Sequence, residues 1–578
     1  MSPLPSIGDL SFAKKDPADT YTVTIDRNAF PALEFATGSI DPTGIVVTNT
    51  PVPATVDINV ATGVTLYGDG TVTGDIDLPG TLAPGESANA GSIGTFEVVG
   101  DLDLTDATVQ IDLSTSGGTT TNDLIRVNGN ATLTDATLSF NFVGSQFEVG
   151  QKFLILDSSS GFASSFSNQS DSFAIPDRPF LELVEDSSPT SPSGYTSLGN
   201  QLGFTVQDNN VPFSSIVTGC NQLSAVAILE SFRGAGPSGT TSQPAVKALV
   251  NSSGESMIAA VNQLSGSIYP SLIGAEITHI QNNLESVRDR VMLQRYPGVQ
   301  PPAIMPWIRA YGVSATTDQD DCSTVGYHQE FGGMELGLAL SNKQGFSSHA
   351  FAHLGGGDVR TSGVDQRAEI ESYRGGGSIE YVGDSIYVLA AGGAGVQSYD
   401  VKRSLSALEG STFVQSSFDG AAQFGYFESG TVVSWLATNW IPYLGLHATR
   451  VELDPINETG DGDFALANSG GDGDSIRGVL GLGLEQSGGT PLGPATTRVR
   501  FGWMHEYLDS NEVFVSNVTG SMLPLTDRGV DAGIDWGFLR VQLDLFRFLG
   551  GQSSIAYQGQ ANSRSSFNAL AAGVQWVR

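Results

Sequence analysis

The sequence predicts an all-β protein with a helical linker: a short repetitive β region, then helices, then strands that close into a transmembrane β-barrel. Three observations lead there. The chain of 578 residues contains 71 glycines and is only 15% charged, a poor match to a helical enzyme rich in Glu, Lys, Ala and Leu. Apolar residues alternate at the strand period of two through residues 20–215 and again through 303–578. Between those regions, in 216–295, they recur three and four apart, the helical spacing. Lys and Arg total 27 against 61 Asp and Glu, a formal charge of −34. That deficit excludes nucleic acid as a main partner, because phosphate recognition needs clustered cations. The two cysteines, Cys220 and Cys322, are too few for a disulfide framework or a four-cysteine metal site.

Residues 1–19 lack any pattern and are expected to be disordered. They hold a Lys14-Lys15 pair with no apolar core beside it, so they do not read as a signal peptide. The segments GVTLYGDGTVTGDIDLPGTLAPG (63–85), GTFEVVGDLDLTDATVQIDLS (94–114) and IRVNGNATLTDATLSFNFVG (125–144) place Val, Leu and Ile at every second position. Gly-Asp, Asn-Gly and Pro-Gly punctuate them with positive-φ turns. Thr-Asp-Ala-Thr occurs at 105–108 and again at 134–137. Strand–turn modules that recur in this way predict stacked coils of a β-solenoid, with a sandwich of short strands as the alternative.

In the helical region, NQLSAVAILESF (221–232) and PAVKALV (244–250) carry the spacing, and Pro244 suits a first turn. The longest helix is predicted over 271–292, where Leu272, Ile273, Ile277, Ile280, Leu284 and Val287 are interleaved with Glu276, His279, Gln281, Glu285, Arg288 and Asp289. A helix this polar does not sit in lipid; solvent, a second domain or a water-filled pore suits it. Tyr296-Pro297-Gly298 and Pro301-Pro302 then end it.

From Trp307 onward the alternation sharpens. Met334, Leu336, Leu338 and Leu340 share one face, opposed by Glu335, Gly337, Ala339 and Ser341; Leu444 and Leu446 oppose Tyr443 and His447. About twelve such runs fit before the terminus, several of them, such as 385–399, longer than the usual five or six residues of a globular strand. An apolar face opposed by glycine, serine and charge inverts a globular protein and predicts lipid outside and a wet lumen inside. A soluble all-β fold is one alternative, and such a barrel acting only as a passive pore is a second. Trp307, Tyr311, Trp435, Trp440, Tyr443, Trp503, Tyr507, Trp536 and Trp576 fall near run ends and are expected in interface girdles.

The order of these regions resembles the bacterial autotransporter (type V secretion) family, and specific residues carry the likeness. Leu82-Ala83-Pro84-Gly85-Glu86-Ser87 resembles the turn of the passenger-associated repeat. Gln263-Leu264-Ser265-Gly266 is similar to the linker before the pore helix, Trp307 to the Trp-led first strand, and Trp503 with His505 and Glu506 to a Trp-x-His-Glu motif late in such barrels. The resemblance implies a short right-handed β-solenoid passenger at the cell surface, adhesive or displayed, a barrel in the outer membrane and the 271–292 helix in its lumen. It also implies outer-membrane lipid, the barrel-assembly machinery and periplasmic chaperones as partners, with an unidentified extracellular ligand. Two departures stand out: the family's leader is missing, and the chain ends Trp576-Val577-Arg578 rather than on an aromatic residue.

No enzyme, cofactor or metal site is expected. Neighbours on a strand face opposite sides, so His505 and Glu506 do not form a dyad. His349 and His353 share a face but stand about 13 Å apart, too far for one zinc ion. Asp75, Asp77, Asp101, Asp103, Asp106, Asp112 and Asp135 read as corner residues, with paired carboxylates for polysaccharide cleavage as the alternative. Asn282-Asn283 matches loosely a pair that in one autotransporter subfamily cleaves its own backbone; polar helix filler is the simpler reading.

Overall fold

The computed structural model describes residues 21–25, 32–35, 56–60 and 65–576, except short intervals at 86–89, 117–118, 145, 188, 190–196, 234–243, 294–302, 342–344, 410–412, 461–463, 492, 509–511 and 549–550. The 1–19 segment, Ser87, the Tyr296–Pro302 stop signals and the Val577-Arg578 terminus lie outside the described residues. The chain divides into two compact units, Met1–Pro212 with Arg233–Gly254, and Phe213–Phe232 with Glu255–Arg578.

The first unit is built from three sheets whose strands pair mostly in parallel, each coil contributing one short strand per sheet. Thr81–Pro84, Thr108–Ser116 and Thr137–Val143 succeed one another in one sheet. Thr95–Val99, Leu124–Val127 and Lys152–Ser158 do so in the second, and Ile76–Asp77, Leu102–Asp103 and Asn130–Thr132 in the third. Parallel coil-on-coil pairing is not the arrangement of a sandwich, whose two sheets are antiparallel. Because the register repeats, side chains of one kind stack in columns: Leu66, Leu82, Val109 and Leu138 form one, and Phe96, Ile125 and Leu156 another. All of them are buried.

The corners explain the punctuation. A Cβ on Gly100 would sit 2.3 Å from the Gly74 carbonyl oxygen, and one on Gly129 2.1 Å from that of Gly100. Only glycine allows that approach. Beside this column, Asp75 accepts the Asp101 N–H (2.8 Å) and Asp101 accepts the Asn130 N–H (2.7 Å). The two Thr-Asp-Ala-Thr copies lie one coil apart, with Thr108 registered on Thr137. Their Asp106 and Asp135 take φ of 62° and 56°, a conformation Asp tolerates better than most residues. Antiparallel strands Asn200–Asp208 and Leu181–Asp186 extend the second sheet past Lys152–Ser158. Helix α2 (Pro244–Val250) packs in this unit through Ala245, Val246, Leu249 and Val250.

The second unit holds helices α1 (Cys220–Phe232), α3 (Gly254–Leu264, whose first residue falls in the other unit) and α4 (Ile268–Leu293). Twelve antiparallel strands follow: Ala303–Thr317, Tyr327–Ser341, Phe346–Thr361, Gln366–Val382, Ile386–Ser404, Phe413–Thr431, Thr438–Leu453, Gly471–Thr490, Gly493–Glu506, Asp535–Phe548, Gly551–Ala561 and Ser565–Gln575. The twelfth pairs with the first from Trp307↔Gln575 to Thr317↔Ser565, so the sheet is a closed barrel. The long connections that follow Thr317, Ser404, Leu453 and Glu506 leave the wall at one mouth, together with the short ones that follow Thr361 and Ala561, and the short connection 383–385 lies at the other. Two of the long ones supply a four-stranded sheet of Ile456–Asn457, Leu466–Asn468, Val513–Val518 and Pro524–Arg528.

No helix among the described residues is long and apolar enough to cross a membrane, which says nothing of the strands. Met334, Leu336, Leu338 and Leu340 point outward, as do Leu444 (58% exposed) and Leu480. The outward apolar stretches, Tyr373 to Tyr381 in the fourth strand and Ile386 to Val396 in the fifth, match the roughly 9–11 residues a tilted strand needs. Toward the long-loop mouth the outward positions turn charged: Arg367, Glu369 and Glu371; Asp400 and Lys402; Arg450 and Glu452. The expectation for the aromatic girdle is partly wrong. Trp307, Tyr311, Tyr443 and Trp536 are buried inside the wall, because strand parity places them on the lumenal face with Arg309, His447 and Arg540. Trp435, Trp503, Tyr507 and Trp576 do face outward.

Candidate functional site

The lumen is occupied by α4, and its wall matches the helix charge by charge. Nearest the long-loop mouth, Tyr269 Oη donates to Glu458 (2.7 Å), which also receives Arg403 through two nitrogens (2.9 and 2.6 Å). About two turns deeper, Glu276 pairs with Arg374, and close to a further turn on His279 meets Tyr311 Oη at 2.6 Å. Arg477 reaches Gln281 (2.6 Å) and Glu506 (2.9 Å). Farther along, Glu428 takes Arg288 (2.6 Å) from the helix and Arg500 (2.9 Å) from the wall, and Arg500 also holds Glu285 (2.7 Å). Tyr387 and Tyr426 donate to the same Glu428 carboxylate. Asp289 is met by Arg540. The helix acids Glu276, Glu285 and Asp289 therefore meet wall arginines, and the helix cation Arg288 meets a wall glutamate. A cavity of about 30 Å³ beside Ser271, Gly274 and Tyr327 has room for a water or two. Buried pairs of this kind add little net stability, yet removing one partner strands a charge at about 3–5 kcal/mol.

The Gln263-Leu264-Ser265-Gly266 motif is the hinge between α3 and α4, at the long-loop mouth. Gln263 Oε1 accepts the Ala407 N–H (2.7 Å), and Arg403 donates to the carbonyls of Gln263 (2.6 Å) and Leu264 (3.1 Å). The Ser265 hydroxyl and Gly266 N–H both donate to Asp527 (2.7 and 2.9 Å). A Cβ at Gly266 would lie 2.8 Å from Leu466 and 2.9 Å from Asp527, so the glycine is steric. Burial pushes the Asp527 carboxyl up to about 6, against the two hydrogen bonds it accepts. Helix α1 is fastened to the same mouth. Asn221 pairs with both the N–H (2.8 Å) and the C=O (2.9 Å) of Arg528, Ser224 Oγ accepts the Thr526 N–H (2.7 Å), and Cys220 is disulfide-bonded to Cys322.

The Trp-x-His-Glu motif straddles the wall. Trp503 and His505 face outward and share Asp535 Oδ1 (2.9 and 2.8 Å), while Glu506 faces inward to Arg477 and Ser475. Trp307 is lumenal; opposite it, a Cβ on Gly337 would lie 2.6 Å from the indole. The Trp576 N–H donates to the Pro306 carbonyl (3.0 Å) and helps zip the last strand to the first. Asn282 and Asn283 are both inside α4 and buried. With its amide oxygen and nitrogen exchanged, Asn283 accepts from Arg374 (2.8 Å) and His353 (3.2 Å) and donates to the His279 carbonyl (3.3 Å). Neither end of the Asn282 amide meets a partner among the described residues.

In the first unit, Leu82 and Pro84 belong to the coil strand Thr81–Pro84, and Gly85 follows at φ 120°. Asp103 caps Thr105, and Asp112 accepts from Gly91 N–H (2.5 Å) and Asn141 (2.9 Å). Asp123, absent from the sequence-based candidates, accepts the N–H groups of Gly94 (2.9 Å) and Asp112 (2.7 Å). Burial pushes its carboxyl up to about 8, and the neighbouring Asp112 and Asp69 carboxylates add to the rise. Asp112 and Asp123 are sealed from solvent, so this pair braces a corner and is closed to a polysaccharide. Among the described residues, no group of three His, Cys, Asp or Glu side chains is arranged to hold a metal ion.

Register, not composition, assembled these sites. Arg477 lies across from Glu506 and His505 from Asp535, and the disulfide joins residues 102 apart.

The autotransporter beta-domain family model matches residues 306–546, while no curated protein matches the chain in sequence. Among solved structures, the translocator domain of NalP from Neisseria meningitidis is 15% identical, with a TM-score of 0.44, over 54% of this chain and 99% of its own. The beta domain of the Bordetella autotransporter BrkA is 16% identical, with a TM-score of 0.37, over 47% and 99%. The transport unit of AIDA-I from Escherichia coli is 11% identical, with a TM-score of 0.33, over 51% and 97%. The family match thus falls on the twelve-stranded closed wall with its outward apolar belt, and in this region, residues 306–546, the chain is similar to autotransporter β-domains.

Proposed function

We propose that the barrel inserts in the outer membrane and carries the first unit to the cell surface, where it stays anchored. The supporting observation is α4: one polar helix, paired to the wall along its length, fills the lumen and links the upstream chain to the first strand. The long-loop mouth faces outward in this reading, following the short-turn, long-loop asymmetry of such barrels. Vectorial folding supplies direction, because each coil completed outside resists sliding back. A formal charge of −34 keeps the exported chain soluble beforehand. Lipid, the assembly machinery and periplasmic chaperones act during insertion. The surface role is adhesion or display toward an unidentified ligand, without catalysis, and α4 stays uncut at Asn282-Asn283. Protease added to intact cells should digest residues 65–212 and spare the barrel; protection until the outer membrane is opened would refute display. Mass spectrometry of the barrel should find no fragment beginning at Asn283.

A further inference from the structure

We propose that the Cys220–Cys322 disulfide is a second covalent anchor, which holds the first unit to the barrel independently of the chain that runs through the lumen. This rests on the surface-anchoring reading above and adds how the attachment is made.

The argument is topological. Everything from residue 221 to 321, including α1, α2, α3, α4 and the first barrel strand, lies inside the ring that this bond closes. Residues 1–219 lie outside it, on the N-terminal side. A break anywhere within the ring, in the linker or in α4 itself, therefore leaves the two pieces covalently joined through sulfur. Without the bond, the same break leaves only non-covalent docking.

The surroundings are built to bring the two residues together. Their Cα atoms are 5.4 Å apart, within the range a disulfide spans. The Cys220 N–H donates to the Cys322 carbonyl (2.9 Å). Asp320 accepts the N–H groups of Cys322 and Thr324 (both 2.9 Å) and, through its other oxygen, that of Asp531 (3.1 Å). This fixes the first long connection against the 507–534 connection. A Cβ at Gly219 would lie 3.0 Å from Ser323 and 3.1 Å from the Cys322 carbonyl oxygen, so the chain enters the bond at close quarters. One residue on, Asn221 makes its two hydrogen bonds to the Arg528 backbone.

Formation is a two-electron step. The Cys220 and Cys322 thiols lose two protons and two electrons to a disulfide-bearing oxidant, whose own S–S bond opens to two thiols. A dithiol reductant reverses the exchange and yields both free cysteines.

The test places a protease site in the stretch GAGPSGTTSQ (234–243), inside the ring. Cells are treated with that protease, membranes are collected, and the pellets are washed in urea that strips non-covalent contacts while the barrel stays folded. The N-terminal fragment should remain with the membranes and be lost from them once a dithiol is added. In Cys322→Ser it should be lost without reductant. Loss of the wild-type fragment in urea alone overturns the anchor, whether or not the serine variant folds. The same cut is made on broken membranes. If intact cells resist the protease and broken membranes do not, surface display fails, while the urea wash still decides the anchor.

Discussion

Leu82 and Leu444 stand on strands of similar alternation, yet Leu82 is fully buried and Leu444 is 58% exposed. The first unit turns its apolar face inward, where Leu66, Leu82, Val109 and Leu138 stack coil on coil. The barrel turns its apolar face outward and keeps arginine and glutamate within. The same period-two pattern thus encodes opposite polarities. What separates them is the other face: in the coils it is Thr, Asp and Asn at water-facing corners, and in the barrel it is Glu335, Arg374, Arg477 and Arg500 around a polar helix.

The contrast can be broken most severely by one charge in the coil column. Val109→Asp places an unpaired carboxylate at a site sealed by Leu82 and Leu138, at several kcal/mol. Circular dichroism and proteolysis should show the first unit unfolded, while the barrel keeps its heat-modifiable mobility on gels. A surviving first unit would mean the column is not its core.

Next in size is the lumen. Glu428→Gln leaves Arg288 and Arg500 without their shared charge, and we expect about 3–5 kcal/mol of destabilisation, read as a lower unfolding temperature of the barrel. An unchanged temperature would mean that the helix is not held by these pairs.

The smallest effect sharpens the comparison by pH. The Asp123 carboxyl is raised from 3.8 to about 8, so the folded first unit binds a proton that the unfolded chain releases. That stabilisation is complete below about pH 4 and is lost as pH rises through 8. The melting temperature of the first unit should fall between pH 5 and pH 9, and Asp123→Asn should flatten that slope. A wild-type profile that is flat or rising would remove Asp123 from the corner's energetics.

Much of this was legible in the residues. Alternation showed the strands, the three-and-four spacing showed the helices, and Thr-Asp-Ala-Thr at 105 and 134 announced the repeat. The mixed polarity of 271–292 fitted a helix within a wet lumen. What stayed hidden depended on register and closure. Trp307 and Trp536 look like girdle residues until strand parity turns them inward. Asp535 has no motif of its own; it matters because its strand lies beside that of Trp503 and His505. Cys220 and Cys322 are unremarkable in sequence because nothing local brings them together.

The corner column of Gly74, Gly100 and Gly129 has a further consequence. Each corner is completed by the coil before it: Asp101 answers Asp75, and Asn130, 29 positions on, answers Asp101. A unit assembled by that rule has no intrinsic length. Duplicating one whole coil in register would extend it and keep the column, whereas an insertion that moved a corner glycine out of register would put a side chain where only hydrogen fits. The length of this unit is then a quantity that can be changed in whole coils.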